Sequence, residues 1–206
     1  MIEGNLIKGC SISGNSINEF LKGIDGSDIA IIMGVNKTKT PYDIYLDKIN
    51  SNKEELNQKD GLVKSKEANY WDNTFKEIIA KEFSIRSGKK VRKENKKLKD
   101  EEYDFMVGSV DRKIVGENSI LMCKTSNVNF PIEWNGGSIP VSYILQAQHY
   151  MRIFKADKCY VASLIEGKKF VYKEILRDDK LINMIIQIEK DFWFNNVLKN
   201  IPPKLS

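Results

Sequence analysis

The apolar period of this chain changes at Gly88, and that change limits the folds open to it. Before it, "YWDNTFKEIIAKEFSIRSGKK" places Trp71, Phe75, Ile78, Ile79, Glu82 and Phe83 at steps of three and four, the spacing of one helix face. Gly88 is the residue type that stops such a helix. After it, "DFMVGSVDRKIV" and "SILMCKTSN" are strand-forming segments separated by Gly-Glu-Asn, a hairpin signal. "SYILQAQHYMRIF" returns to helical spacing, with Ile144, Gln148, Met151 and Phe154 roughly in line. "KCYVASLIEGKKFVYKEIL" predicts two strands about a Glu-Gly-Lys turn. "DDKLINMIIQIEKDFWFNNVL" predicts a long amphipathic helix capped by Asp178 or Asp179, which "IPPKLS" cannot continue. Upstream, "NSINEFLKGIDGSDIAIIMG" predicts a helix, a Gly-rich turn and a second helix capped by Ser27 or Asp28. Pro41 opens a further helix through Tyr42, Ile44, Tyr45 and Leu46. Helices, strand pair, helix, strand pair, helix: that order implies an α/β (α+β) fold, a mixed sheet flanked by helices.

The 206 residues suffice for one sizeable domain, and 41% hydrophobic with 30% charged residues is ordinary for a soluble globular chain. No apolar run approaches the roughly 20 residues that span a bilayer. "MIEGNLIKGC" lacks the apolar core of a secretion signal, so a cytoplasmic protein with no membrane partner is expected. Cys10, Cys123 and Cys159 show no metal-ligand spacing and read as reduced thiols. The net charge of +5 is compatible with a polyanionic partner without demanding one. Much of it sits in "GKKVRKENKKLK", Gly88 to Lys99, which reads either as a solvated helix end and turn or as a phosphate-contacting patch. The polar stretch from Asn50 to Asn69 reads as a connector.

Four stretches, in order, carry a resemblance: "GIDGSDIAIIMGVNKTKTPYDIYLDKI", "YWDNTFKEIIAKEFSIRSGKKV", "FMVGSVDRKIVGENSILMCKTSN" and "IPVSYILQAQHYMRIFKADKCYVASLIEGKKFVYKEILRDD". Together the chain resembles the phage recombination exonucleases of the YqaJ and lambda-exonuclease type, within the PD-(D/E)xK nuclease superfamily. The resemblance implies a single exonuclease-like domain over residues 1–206. Within it, residues 1–50 would be helical, residues 51–69 a connector and residues 70–206 a nuclease-like core. It also implies Mg²⁺-dependent 5′ to 3′ digestion of one strand of duplex DNA and, in some relatives, rings of three. Carboxylates on a long helix and two strands hold the hard cation through oxygen, and the metal activates water and stabilises charge on the phosphate. By resemblance, Asp111 is the first strand acid, Lys124 the motif lysine, and Gln146 and Tyr150 the Gln-x-x-x-Tyr pair, four apart and so on one helix face. Ser27 matches a small polar residue near the DNA phosphate.

The departures from the family pattern point one way. Met122 stands where the Glu of Glu-x-Lys belongs, Lys76 where the helix Glu belongs, and Phe20 where an Arg would contact phosphate. Asp72 replaces a usual Gly. A slip to Glu77 fails: from Lys76 the family's Ala, aromatic and Gly fall on Ala80, Phe83 and Gly88, whereas from Glu77 they would fall on Lys81, Ser84 and Lys89. Helix geometry would also turn Glu77 about 100° away from the site. A thioether is a poor ligand for Mg²⁺, and an ammonium repels it. Lys76 is therefore expected to fill the metal cavity and pair with Asp111, Lys124 lying nearby, with no metal or other cofactor held.

The expected function is that of a catalytically silent relative of phage or mobile-element origin, acting as a binding or inhibitory protein. Its partner would be a protein, such as a host defence nuclease of the CRISPR effector kind, or nucleic acid, DNA before RNA; a non-catalytic place beside a DNA-processing enzyme is a related role. The alternative is an active Mg²⁺-dependent 5′ to 3′ duplex exonuclease in which Asp72 or Glu117 supplies a carboxylate beside Asp111. His149, the single histidine, is expected to be structural. Trp71, Trp134 and Trp193 are expected in core or interface packing before base stacking.

Overall fold

The computed structural model describes residues 23–36, 38–50, 61–126 and 138–204. The helix expected over "NSINEF", together with Phe20, Cys10 and Trp134, lies outside the described residues. Two sheets carry the chain. The smaller holds β1 (Ile24–Asp25), β4 (Met106–Ser109) and β3 (Lys97–Lys99), in that order, with β1 parallel and β3 antiparallel to β4. The larger runs β2 (Val91–Lys93), β5 (Arg112–Ile114), β6 (Ser119–Ser126), β7 (Lys158–Ile165), β8 (Lys169–Leu176). Its neighbours are antiparallel except β6 and β7, which run parallel and are joined through helix α4 (Val141–Phe154). The other helices are α1 (Ile29–Ile32), α2 (Pro41–Asn50), α3 (Gly61–Ser87) and α5 (Asp179–Phe192), the last running into a wide π turn over Trp193–Val197. Among the described residues no helix is long and apolar enough to cross a membrane.

Strand β6 explains the apolar run in "SILMC". It is covered on both faces, so alternation of side chains sends two sets of apolar residues to two cores rather than one to solvent. Ile120 and Met122 join Ala147, Tyr150 and Met151 under α4, while Leu121 and Cys123 join Ile79, Ala80 and Phe83 under α3. The hairpin signals resolve as read: Gly116 has φ +83° between β5 and β6, and Gly167 has φ +67° between β7 and β8. Gly88, φ +71°, ends α3 in the left-handed conformation of a helix C-terminal glycine. Asp178 is the cap of α5, its Oδ1 accepting from Lys180 N at 2.9 Å and Leu181 N at 3.1 Å.

Four expectations are corrected. Helix α3 starts at Gly61, so the second half of the expected 51–69 connector is helical. Its leucine, lysine, glutamate and alanine favour helix without an apolar face, and polarity alone resembles a loop. The buried side of α3 is narrower than its apolar stripe: Ile79, Ala80 and Phe83 are buried, whereas Trp71 and Ile78 are each 50% exposed. "DFMVGSVDRKIV" is two strands, β4 and β5, in different sheets, the chain crossing at Val110 and Asp111. Finally, the Gly-rich turn contains strand β1, and Asp25 organises it: Asp25 Oδ1 accepts from the Ser27 amide at 3.0 Å. Asp28 makes no side-chain cap bond to α1; its Oδ2 accepts from Asp25 N at 3.0 Å and pairs with Lys48 at 2.7 Å.

Candidate functional site

The crossing between the two sheets sets Asp111 just before β5, where both carboxylate oxygens are engaged. Oδ2 accepts from the Cys123 amide of β6 at 2.7 Å, and Oδ1 lies 3.3 Å from Lys76 Nζ. Lys76 comes from α3, and its ammonium also lies 2.6 Å from Asp72 Oδ2, one helical turn back. The ammonium is thus shared by two carboxylates. Partial burial pulls the Lys76 pKa down, but Asp111 and then Asp72 outweigh it and leave it above the ordinary lysine value. Lys76 is therefore charged at neutral pH.

Met122 is 1% exposed and packs in the core beneath α4. It lies two residues before Lys124 and so on the same face of β6. Lys124 Nζ donates to Gln146 Oε1 at 2.6 Å and sits 5.3 Å from the Tyr143 ring centroid. Enclosure pushes its pKa below the ordinary lysine value; Asp111 opposes that shift and Lys76 adds to it. From Gln146 a relay continues: Nε2 donates to Tyr150 OH at 3.0 Å, and Tyr150 donates to Asp25 Oδ1 at 2.9 Å. The same oxygen accepts the Ser27 hydroxyl at 3.1 Å. Burial, then the Asp25 charge, raises the Tyr150 phenol well above its usual pKa. The structure therefore brings together Lys124, Gln146, Tyr150 and Ser27 in one chain of hydrogen bonds, and Asp111 with Lys76 in one ion-pair cluster.

Asp25 is the hub that sequence reasoning missed. Its Gly-Ile-Asp-Gly-Ser pattern signals a local turn, and nothing in it points to a tyrosine on α4. Two glycines make that contact possible. A Cβ at Gly26 would lie 2.8 Å from Tyr150 Cε1, and one at Gly108 would lie 2.9 Å from Tyr150 Cδ1 and 3.1 Å from Ile153 Cδ1. The Tyr150 hydroxyl is tied at both sides, so its ring cannot swing clear. Gly108→Ala is expected to cost about 1–3 kcal/mol of folding stability by overpacking, measurable as a lowered urea midpoint; an unchanged midpoint would refute the tight fit.

The two other acids weighed for the site lie elsewhere. Glu77 pairs with Arg112 at 2.7 Å and Lys93 at 3.2 Å. Glu117, in the β5–β6 turn, is held by Lys89 and Lys158. Among the described residues no group of three or more His, Cys, Asp or Glu side chains is placed to hold a metal ion. Two carboxylates occupied by an ammonium, with a thioether on β6, do not fit a hard divalent cation. Cys123 and Cys159 are buried free thiols, both pushed up by burial. Trp71 is half exposed, and Trp193 stacks on Phe105 at 6.1 Å between centroids. His149 is held on both sides: Nδ1 lies 2.7 Å from Glu189 Oε1 and Nε2 2.9 Å from Val107 O, the His149–Glu189 pair fully buried.

Residues 20–157 match the family described as YqaJ-like viral recombinase domain. The chain is 47% identical over 186 residues to the uncharacterized protein YqaJ of Bacillus subtilis (strain 168), covering 89% of this chain and 56% of that protein. It thus spans little more than half the length of that relative. An alkaline exonuclease, LHK-Exo from Laribacter hongkongensis, superposes with TM-score 0.71 at 16% identity, over 92% of this chain and 94% of that one. The same enzyme in complex with dAMP gives TM-score 0.71 at 18% identity and the same coverage. A phage related exonuclease from Haemophilus somnus 129PT gives TM-score 0.64 at 15% identity, over 87% of this chain and 96% of that one. At such identities the likeness is one of fold, the PD-(D/E)xK fold of the alkaline exonuclease.

Proposed function

The chain belongs to the YqaJ-like viral recombinase family, and on that premise we propose that it is a catalytically silent member, kept for binding rather than for cutting. One observation carries the reading: the Lys76 ammonium lies between Asp72 and Asp111, 2.6 Å and 3.3 Å away. A cation of the protein's own thus satisfies the carboxylates that a divalent metal would need. Met122, buried in the core, puts a thioether, a poor ligand for Mg²⁺, where the resemblance puts the second strand carboxylate. Asp111, Lys124, Gln146 and Tyr150 are then a remnant site whose hydrogen bonds hold α4, β6 and the Gly-rich turn in register. Ser27, bonded to Asp25, faces solvent beside them as a candidate phosphate contact.

A second reading rests on the same geometry. Asp72 and Asp111 converge on one point, so a DNA strand or a metal that displaced Lys76 would meet two carboxylates. That would make the chain an Mg²⁺-dependent duplex exonuclease with an unusual ligand set. Linear duplex DNA incubated with the protein and Mg²⁺ or Mn²⁺, then run on a gel, separates the two. No degradation above background is expected. Degradation that disappears in Asp111→Ala would overturn the silent reading and establish the second.

A further inference from the structure

The basic stretch after α3 lies outside the hydrogen-bond relay and ion-pair cluster of the remnant site. Of its seven cations, Lys89 is held by Glu117, Lys93 by Glu77, and Lys97 is engaged as well. Lys90, Arg92, Lys96 and Lys99 are exposed and form no ion pair with a described residue. The acids within and just after the stretch form no ion pair with these four, although the Arg92 charge is felt by Glu94. Glu94 pairs with Lys113 at 3.5 Å, and Asp100 is buried against Arg152 at 2.7 Å.

The fold makes a ridge of these four charges. Strand β2 is the edge of the larger sheet and β3 the edge of the smaller, joined by the short turn 94–96. The ridge is anchored at both ends of β2: Val115 N donates to Lys90 O at 2.9 Å, and Glu94 N to Asp111 O at 3.4 Å. The second bond places it against the backbone of the remnant site. Its apolar residues, Val91 and Leu98, turn inward onto the two cores, so only cationic and polar side chains face out.

We propose that Lys90, Arg92, Lys96 and Lys99 form a contact ridge for the phosphodiester backbone of duplex DNA, outside the remnant site and independent of base sequence. A protein partner would need buried aromatic or apolar anchors, and the ridge offers none. A single strand would be gripped by stacking its bases on aromatic rings in a groove; the stretch from Gly88 to Lys99 has no aromatic residue and lies along sheet edges. Duplex DNA carries a charge about every 1.7 Å of its axis, so a projecting row of cations suffices to displace counterions from it.

Whether the remnant site cuts does not bear on the ridge, because binding is measured in EDTA. Fluorescence anisotropy with a short labelled duplex would follow the wild type and the combined variant Lys90→Gln, Arg92→Gln, Lys96→Gln, Lys99→Gln across about 50–200 mM salt. With about 0.9 in slope per phosphate contact, the log–log salt slope is expected to fall by about 3–4, with at least tenfold weaker binding at the low-salt end. A control variant, Lys81→Gln, Lys168→Gln, Lys190→Gln, Lys204→Gln, removes the same net charge elsewhere and is expected to keep most of the slope. Thermal melts of both variants check folding. Absent wild-type binding, an unchanged slope in the ridge variant, or an equal loss in the control would overturn the proposal. So would tighter binding of single-stranded DNA or RNA, or competition by poly-glutamate as effective as duplex DNA. The gel assay for cutting fails or succeeds separately from all of these.

Discussion

Glu189→Ala is expected to lower folding stability by about 3–5 kcal/mol, the usual cost of removing one partner from a buried ion pair. Glu189 and His149 are both 0% exposed, on α5 and α4, with Nδ1 to Oε1 at 2.7 Å. Both imidazole nitrogens face acceptors, because Nε2 lies 2.9 Å from the Val107 carbonyl. The pair therefore holds a proton that solvent cannot replace once Glu189 is gone. Burial disfavours the charged imidazole, yet Glu189, the Val107 bond and the Asp25 charge raise its pKa to about 9. Burial also raises the Glu189 carboxyl against the pull of His149, with Asp28 and Asp25 adding to the rise. The two shifts have one sign in linkage, since each makes the folded state the tighter proton binder. The His149 contribution is fully present below the unfolded value of 6.5 and is lost as pH rises through about 9. Urea unfolding at pH 6 and at pH 10 should thus show the wild type weakening and Glu189→Ala nearly flat. A single-variant loss below about 1 kcal/mol, smaller than an ordinary point substitution, would sink the pairing argument. Glu189→Leu with His149→Phe is expected to recover much of the loss, because an apolar pair leaves no orphaned charge.

Lys76→Glu combined with Met122→Glu is expected to make the protein bind Mn²⁺ more tightly than the unsubstituted chain does. The first substitution removes the ammonium that Asp72 and Asp111 share. The second places a carboxylate one step inward from Lys124 on the same face of β6. With Asp111 the site would then offer three hard oxygen donors. Calorimetry of the combined variant with MnCl₂ reads the binding, and Asp111→Ala in that background should abolish it. Met122→Glu alone buries a carboxylate in an apolar core. It is expected to destabilise by a few kcal/mol. Absence of binding in the folded combined variant would mean that the geometry around Asp111, and not merely its ligand types, has drifted from that of a nuclease.

Local spacing made most of the elements legible. The β5–β6 and β7–β8 hairpins, α4, α5 and the Gly88 stop follow from alternation, helical period and turn chemistry, all of which act within a few residues. Asp111, Lys124, Gln146 and Tyr150 could be placed as a set because their motif spacing survives, and Lys76 and Met122 stood out because they break it. Exposure was less legible. Trp71 and Ile78 lie on the apolar stripe of α3 yet face solvent, because a helix buries only the width that its neighbouring sheet can cover. The start of α3 was hidden because its polar sequence, read by itself, resembles a loop.

The sequence by itself determined most element types and the nuclease-like scaffold, and it led to the expectation that Lys76 pairs with Asp111, as it does at 3.3 Å. Only the tertiary structure decided which distant partners complete the relay and the buried pair. Tyr150 meets Asp25 and His149 meets Glu189 across 125 and 40 positions. No local periodicity encodes such distances. They are fixed by which helix lies on which face of β6 and by where the chain crosses between its two sheets. The cations of the proposed ridge stand out for the same reason: sheet order placed β2 and β3 at edges, where Lys90, Arg92, Lys96 and Lys99 form no ion pair with a described acid.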